Sequence, residues 1–339
     1  MKNIILVTGG AGYVGNTLVR FLLDRGYRVR ILDRLIFTDK HLGEIKNKIE
    51  LIKGDIRNIS PDILEDVKDI IHLAAYSSEP TAQCNPREID LVNHIATENL
   101  AKMAKEKGVE RFIFASSCSV YFTYNSLANP EPSKETDSIN PISIYALTKR
   151  AAEQALLELS DDKFHPIILR KGTVYGFSPR MRYELVLNSF TKDIFLGNQL
   201  TINAGGQIWR PLIDIKDAVW AYTKALEMPL PQVSGKIFNV CSKNLMVGDL
   251  ATQIKNIIKE KKGVDVNLNI KPFEVTRNYK ADNSLFKQTF QFSPSRSLEE
   301  AVLELWEHLE KHPEDALDPL NYNDKWEWHA LKNHNINKN

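Results

Sequence analysis

Short apolar runs alternate with helical stripes along the first half of the chain. Ile4 to Val7 stops at glycines spaced as Gly9-x-x-Gly12-x-x-Gly15 or Gly10-x-Gly12-x-x-Gly15. Leu18, Phe21 and Leu22 then recur at helical spacing and Gly26 ends the pattern, which predicts strand, tight turn and helix. Arg28 to Leu32 reads as a second strand closing at Asp33, and Ile49 to Lys53, after a polar stretch around Lys40 to Lys48, as a third ending in Gly54-Asp55. Asp69 to Leu73 and Arg111 to Ala115 read as two more. Between them Ile89, Val92, Ala96, Leu100 and Met103 or Ala104 form one apolar face of a helix over 86–107. This alternation, through about residue 175, predicts an α/β fold with a doubly wound parallel sheet.

The second half is patterned differently. Residues 176–210 read as loops and a helix, Ile213 begins a strand-to-helix unit, and Pro229-Leu-Pro231 marks a local break. Val264 to Ile270 alternates like a strand, and Leu298, Val302, Leu305 and Leu309, with Trp306 beside them, mark a helix over 298–310. In the tail Tyr322, Trp326 and Trp328 are expected to pack and Asn333 to Asn339 to fray. The expected division is 1–175 for one lobe and 176–339 for a smaller one, the chain returning to the first at about 211–240.

Composition adds exclusions. A formal charge of +1 over 339 residues provides no general field for nucleic acid or an anionic membrane, so any anionic ligand must be held by local groups. Cys84, Cys118 and Cys241 are odd in number and far apart, against a disulfide framework and for a reducing compartment. No stretch reads as a signal peptide or a bilayer span. A cytoplasmic protein is expected, with no nucleic-acid or membrane partner and no metal.

The first turn carries the first chemistry. Glycines at this spacing between strand and helix let the backbone approach a pyrophosphate and aim helix N-terminal N–H groups at it. Asp33 closes the second strand where a carboxylate reaches the ribose hydroxyls of a dinucleotide. His72 lies in an apolar run and reads as packed and hydrogen-bonded. Ser116-Ser117-Cys118-Ser119-Val120-Tyr121 follows the strand at Phe112, and Tyr145-Ala-Leu-Thr-Lys149 opens a helix. The four-residue spacing puts the ammonium on the phenol's helix face. A neighbouring cation favours the phenolate, moving an acid/base group from about 10 toward working pH, and a hydroxyl such as Ser117 can share the same substrate oxygen.

Taken in order, TGGAGYVG, Asp33, Gly54-Asp55, His72-Leu-Ala-Ala, Asn93, Ser-Ser-x-Ser-Val-Tyr and Tyr145-x-x-x-Lys149 resemble the extended short-chain dehydrogenase/reductases. Leu169-Arg-Lys-Gly-Thr-Val-Tyr-Gly176, Arg210-Pro-Leu-Ile-Asp-Ile-Lys-Asp217 and Ala281-Asp282 resemble their nucleotide-sugar epimerase/dehydratase branch. The resemblance runs to about residue 310. It implies a Rossmann-type domain holding NAD(P), a smaller mixed α/β C-terminal lobe gripping a nucleoside-diphosphate sugar, hydride transfer at a sugar carbon, commonly C4, and a homodimer formed through the helices at 86–107 and 143–159.

Carried over residue by residue, the resemblance makes Tyr145 the catalytic acid/base, Lys149 its electrostatic partner and a cofactor ligand, and Ser117 the positioning hydroxyl. Gly9, Gly12, Tyr13 and Val14 belong to the cofactor turn. Asp33 implies NAD, while Arg34 after it keeps NADP as the lesser alternative. Asp55 and Ile56 are expected at the adenine edge, Leu73, Ala74 and Ala75 on the floor, Asn93 beside them, and Val174 at the nicotinamide amide. Thr173, Asn188, Arg210 and Arg277 are expected on the substrate side, the two arginines at the diphosphate.

Three departures narrow this. Phe122 replaces the usual Gly after Val-Tyr, and Thr173 the common Asn. Cys118-Ser119 stands where 4,6-dehydratases place Asp-Glu. A 4-epimerase or 4-reductase/4-dehydrogenase is therefore ranked above a 4,6-dehydratase. Cys118 sits one residue from the position at which related enzymes use a thiol, and is expected to be a packed side chain. A non-catalytic NAD(P)-binding regulatory protein is the alternative of another class.

Overall fold

The computed structural model describes residues 4–77, 79–122, 129–139, 141–273 and 276–324. Trp326, Trp328 and Asn333 to Asn339 lie outside the described residues. Seven parallel strands form the central sheet: β1 (Ile4–Thr8), β2 (Arg28–Asp33), β3 (Glu50–Lys53), β4 (Val67–His72), β5 (Arg111–Ser117), β6 (His165–Lys171) and β7 (Lys236–Val240). Their order is β7-β6-β5-β4-β1-β2-β3. β1 pairs with β2 on one side and β4 on the other, so the winding reverses there. Beyond such a reversal a crevice opens at the carboxyl ends of the strands.

Both sheet faces are covered, which is why the strands read as continuous apolar runs. Ile5 and Val7 enter one core with Leu18, Leu22, Val219 and Phe238, while Ile4 and Leu6 enter the other with Leu100, Phe112, Ala152 and Leu156. The helices that matter to the site are α1 (Tyr13–Asp24), α2 (Ala96–Glu106), α3 (Ile144–Glu158), α4 (Val186–Phe195), α5 (Ile215–Glu227), α6 (Val247–Lys262) and α7 (Leu298–Lys311). The helix expected over 86–107 is three joined pieces: Pro86–Asp90, a π-helical turn Leu91–Ile95, and α2.

A third core, with Leu187, Ile194, Leu200, Ile254, Val302 and Trp306, is built by α4, α6 and α7. Beside it Thr173–Tyr175 pairs in parallel with Trp209–Asp214, which pairs antiparallel with Lys243–Met246. The strand expected over 264–270 is only Leu268–Ile270, paired with Leu200–Ile202. Trp209 rather than Ile213 begins its strand, because edge pairing with Lys243–Met246 extends it through Pro211. Lys236–Val240 joins the main sheet as β7, beside β6. No helix among the described residues is long and apolar enough to cross a membrane.

His72 illustrates how the sheet end is locked. Its ring lies within 2.7 Å of Thr8 Oγ1 through Nδ1 and 2.9 Å of Thr97 Oγ1 through Nε2. Thr97 gives its hydroxyl proton to the Asn93 carbonyl, so His72 donates from Nε2 and accepts from Thr8 at Nδ1. Burial pushes its pKa down from 6.5 to about 3. The unfolded chain therefore binds a proton that the native state does not, and stability falls as pH drops through 6.5 toward 3. His72→Gln is expected to lower the melting temperature at pH 8 yet flatten its fall below pH 6.5; scanning calorimetry of both proteins across this range measures the difference.

Candidate active site

A cavity of about 680 Å³ follows the carboxyl edge of the sheet. At one end the glycine turn forms its wall. Gly9 has φ +72°, and a Cβ there would lie 2.8 Å from the Ala74 backbone nitrogen; one on Gly15 would lie 2.2 Å from the Gly9 carbonyl oxygen. Only glycine permits so close a turn. α1 starts from Gly12 with no side-chain cap, leaving the helix end to a ligand. Gly9, Gly12, Tyr13 and Val14 all line the cavity, and their shape fits a dinucleotide pyrophosphate.

Asp33 sits on the same wall, its carboxylate accepting from Ala11 N at 3.0 Å and Leu35 N at 2.8 Å. Burial pushes its pKa up, against the pull of these donors. Two ribose hydroxyls suit such a group, whereas a 2′-phosphate would meet buried negative charge. Arg34, the residue that leaves NADP in play, is turned to Asp55 at 3.3 Å and to the Tyr76 hydroxyl at 2.6 Å. The pair expected at the adenine edge is split. Ile56 lines the cavity, while Asp55 is off its wall, held by Arg57 at 2.6 Å as well as by Arg34.

Leu73, Ala74 and Ala75 form the floor. Asn93 is placed behind it rather than on the wall: its amide bonds Tyr76 N and Tyr76 O, each at 2.9 Å, so it pins the loop after β4.

At the other end Tyr145 lines the cavity with Ser117, Thr173 and Val174. Ser143 caps the start of α3 by accepting from Ala146 N, and Glu79 accepts from Ile144 N at 3.2 Å and Tyr145 N at 3.1 Å. Lys149, one turn on, is buried behind the wall with its ammonium 6.0 Å from the Tyr145 ring centroid and 4.7 Å from that of Phe114. Burial first, and the charge of Lys171 second, push its pKa down to about 7. The Ser117 hydroxyl accepts from Ser119 N at 3.2 Å.

Cys118 is buried, its thiol donating to the Arg170 carbonyl at 3.1 Å and its pKa raised by burial. That leaves it packed rather than poised for proton transfer.

On the substrate side Arg210 and Arg277 line the cavity. Arg210 donates to the carbonyls of Trp209, at 2.8 Å, and Arg277, and lies 5.3 Å from the Tyr279 ring centroid. Neither guanidinium meets a carboxylate among the described residues. Asn188 is corrected: its amide accepts from Gly176 N at 2.9 Å and donates to the Tyr13 hydroxyl and the Arg182 carbonyl, which places it behind the wall, bracing α4 against the glycine turn.

Among the wall residues that escaped the sequence reading are Glu79, Ser119, Lys171, Arg180 and Arg182. Ser119 and Lys171 lie inside motifs already singled out, which was signal enough to have weighed them. Nothing local marks the other three.

A phosphate cradle and a phenol-hydroxyl pair along one crevice define a dinucleotide-dependent oxidoreductase. The chain belongs to the NAD dependent epimerase/dehydratase family, whose sequence profile matches residues 5–241; it is an enzyme of the extended short-chain dehydrogenase/reductase type, using NAD on nucleotide sugars. It is 32% identical to a putative UDP-glucose 4-epimerase of Methanocaldococcus jannaschii over 75% of this chain and 82% of that one. A UDP-N-acetyl-alpha-D-glucosaminuronate decarboxylase of Bacillus cytotoxicus is 28% identical over 90% of this chain and 97% of its own. Among solved structures, the UDP-glucose 4-epimerase of Thermotoga maritima with UDP-glucose superposes with a TM-score of 0.80 at 26% identity, covering 91% of this chain and 99% of that one.

Gly9→Ala tests the cradle. Left-handed strain of about 1–2 kcal/mol and the contact with Ala74 are expected to weaken NAD binding about tenfold or more, read by calorimetric titration; unchanged affinity would show that the turn yields without cost.

Proposed function

We propose that this protein is a nucleotide-sugar 4-epimerase in which Tyr145 is the acid/base. The observation that supports this most is that Tyr145 and Ser117 share the cavity wall, with the buried ammonium of Lys149 6.0 Å from the Tyr145 ring centroid. NAD, when bound, supplies a reversible hydride acceptor. Gly9, Gly12, Asp33, Ile56 and Ala74 would hold it, and Val174 would meet its nicotinamide end.

The chain's own residues then handle the proton. Tyr145, as phenolate, takes it from the C4 hydroxyl of the sugar and later returns it. Ser117 hydrogen-bonds the same oxygen and fixes its position. Lys149 favours the phenolate electrostatically. Arg210 and Arg277 hold the diphosphate through planar forks. Anchoring the substrate there, away from the ring, lets the sugar present either face to the cofactor, as inversion at C4 demands.

Dehydration is disfavoured because Cys118 is packed against a carbonyl and Ser119 has no carboxylate chemistry to offer. A regulatory role without catalysis is disfavoured by a proton-transfer pair retained on the wall. The substrate lobe in this reading is 176–339, less the return of 211–240 to the sheet. A cytoplasmic setting suits three free cysteines, two of them buried.

Tyr145→Phe is expected to keep NAD affinity and lose about a hundredfold or more of turnover, measured by calorimetry and by product assay with UDP-glucose; unchanged turnover would remove Tyr145 from this role. The homodimer is also proposed. Leu91, just before α2, and Leu147, on α3, are 37% and 48% exposed, and these neighbouring helices are the surface that the resemblance assigns to the partner. Leu147→Asp is expected to shift the protein from dimer to monomer at micromolar concentration in analytical ultracentrifugation. A wild-type monomer would end that part of the proposal.

A further inference from the structure

The substrate half of the cavity carries more positive charge than a diphosphate needs. Arg210 and Arg277 already serve that group in the reading above. Lys171, the last residue of β6, also lines the cavity. In the parallel ladder it stands directly opposite Ser117, so its stem begins at the reaction centre. Arg210 lies further off, two residues before Leu212, the ladder partner of Thr173.

The Lys171 ammonium has one weak acceptor, the Ser116 carbonyl at 3.4 Å, and no carboxylate among the described residues. Among the described residues five acidic ones line the wall, Asp33, Glu79, Glu184, Asp193 and Asp324, and none of them is paired with Lys171. Asp33 receives two backbone amides, Glu79 caps α3, and Glu184 meets Arg182 at 2.6 Å. A desolvated, uncompensated ammonium is costly to the fold. Its presence on a ligand-facing wall points to an anion supplied from outside.

Ser119 is an independent sign. It lies two residues past Ser117 and lines the cavity, and its buried hydroxyl oxygen has no hydrogen-bond partner among the described residues. An orphaned hydroxyl on the same wall as a lone ammonium, two residues past its ladder partner, supplies a second donor for a carboxylate.

We propose that the sugar of the substrate is a hexuronic acid, its carboxylate held by the ammonium of Lys171 with the hydroxyl of Ser119 alongside. This rests on the nucleotide-sugar reading of the same cavity and specifies what that sugar carries. Lys171 then acts as a specificity residue: an uncharged hydroxymethyl group in the same place leaves the ammonium unpaired, so neutral hexoses bind less tightly. Burial, with the charge of Arg182 adding to it, pushes Lys171 down to about 8. The titratable and charged groups that act on it are Arg182 and Cys118, and it acts in turn on Lys149. A bound carboxylate favours the charged form, so the preference for a uronate is full below pH 8 and declines above it.

The test is calorimetric titration of the NAD-loaded protein, first with UDP, dTDP, GDP and CDP. The glucuronic acid and glucose conjugates of the diphosphate that binds follow. The expected result is a glucuronic acid conjugate bound about tenfold or more tighter than its glucose counterpart. Lys171→Met should erase that preference with the diphosphate's own affinity intact. Lys171→Arg should restore it, and Ser119→Ala should reduce it. Melting curves identify any variant that does not fold, in which case Ser119→Ala and the wild-type pH dependence decide. Equal affinity of the two conjugates for the wild type, or equal loss of both in Lys171→Met, overturns this inference and leaves the nucleotide-sugar reading standing. Failure of all four diphosphates to bind overturns that reading, and this one with it.

Discussion

A buried ion pair holds the reactive end of this protein together. Arg170 on β6 donates to Glu153 on α3 through Nε at 2.8 Å and Nη2 at 2.7 Å, and Ser116 on β5 bonds the same carboxylate. Arg170 also reaches the Tyr121 hydroxyl, which donates to Asn239 on β7. Three elements are thereby fixed in mutual register, and each carries one member of the candidate site: Tyr145 on α3, Ser117 on β5, Lys171 on β6. Such a pair adds little net stability, but removal of one partner would strand a buried charge at a cost of about 3–5 kcal/mol. Its value lies in position, because a proton transfer tolerates little displacement of its partners.

Electrostatics divides the crevice in two. At the cofactor end Asp33, held by backbone amides, faces inward with the buried Arg180 close enough to act on its charge, while Arg34 is paired with Asp55. Toward the substrate end the wall carries Arg182, Arg210, Arg277 and Lys171, with Lys149 behind it, alongside the carboxylates of Glu184 and Asp193, which are paired with Arg182 and Lys192. A chain of formal charge +1 thus presents strong local fields without a net one. The ribose hydroxyls and pyrophosphate of a dinucleotide suit the first end, and a sugar diphosphate suits the arginines of the second.

Several residues act at one remove. Glu79 fixes the first turn of α3 through the backbone of Tyr145 itself, Asn93 pins the loop that floors the cavity, and Asn188 ties Gly176 to Tyr13. Each spends its polar groups on backbone or on a neighbouring hydroxyl. That is why Asn93, expected at the cofactor from its place in the motifs, and Asn188, expected at the diphosphate from its helix, stand behind the wall.

The sheet was legible in the chain because two buried faces demand unbroken apolar strands, and the glycine turn because no other residue type fits its geometry. Helical spacing put Tyr145 and Lys149 on one face, but their roles came from the family resemblance; Asp33 was marked by its place at a strand end. Long-range neighbours were not legible. Nothing local in the sequence says that Glu79 caps a helix 65 residues later, that Asp55 is taken by Arg57 and Arg34, or that Lys171 ends opposite Ser117. Periodicity reports which face of an element is apolar, and so fixes local structure and sheet class. Which polar groups meet across elements depends on register and packing between segments far apart in sequence, and only the folded chain sets these.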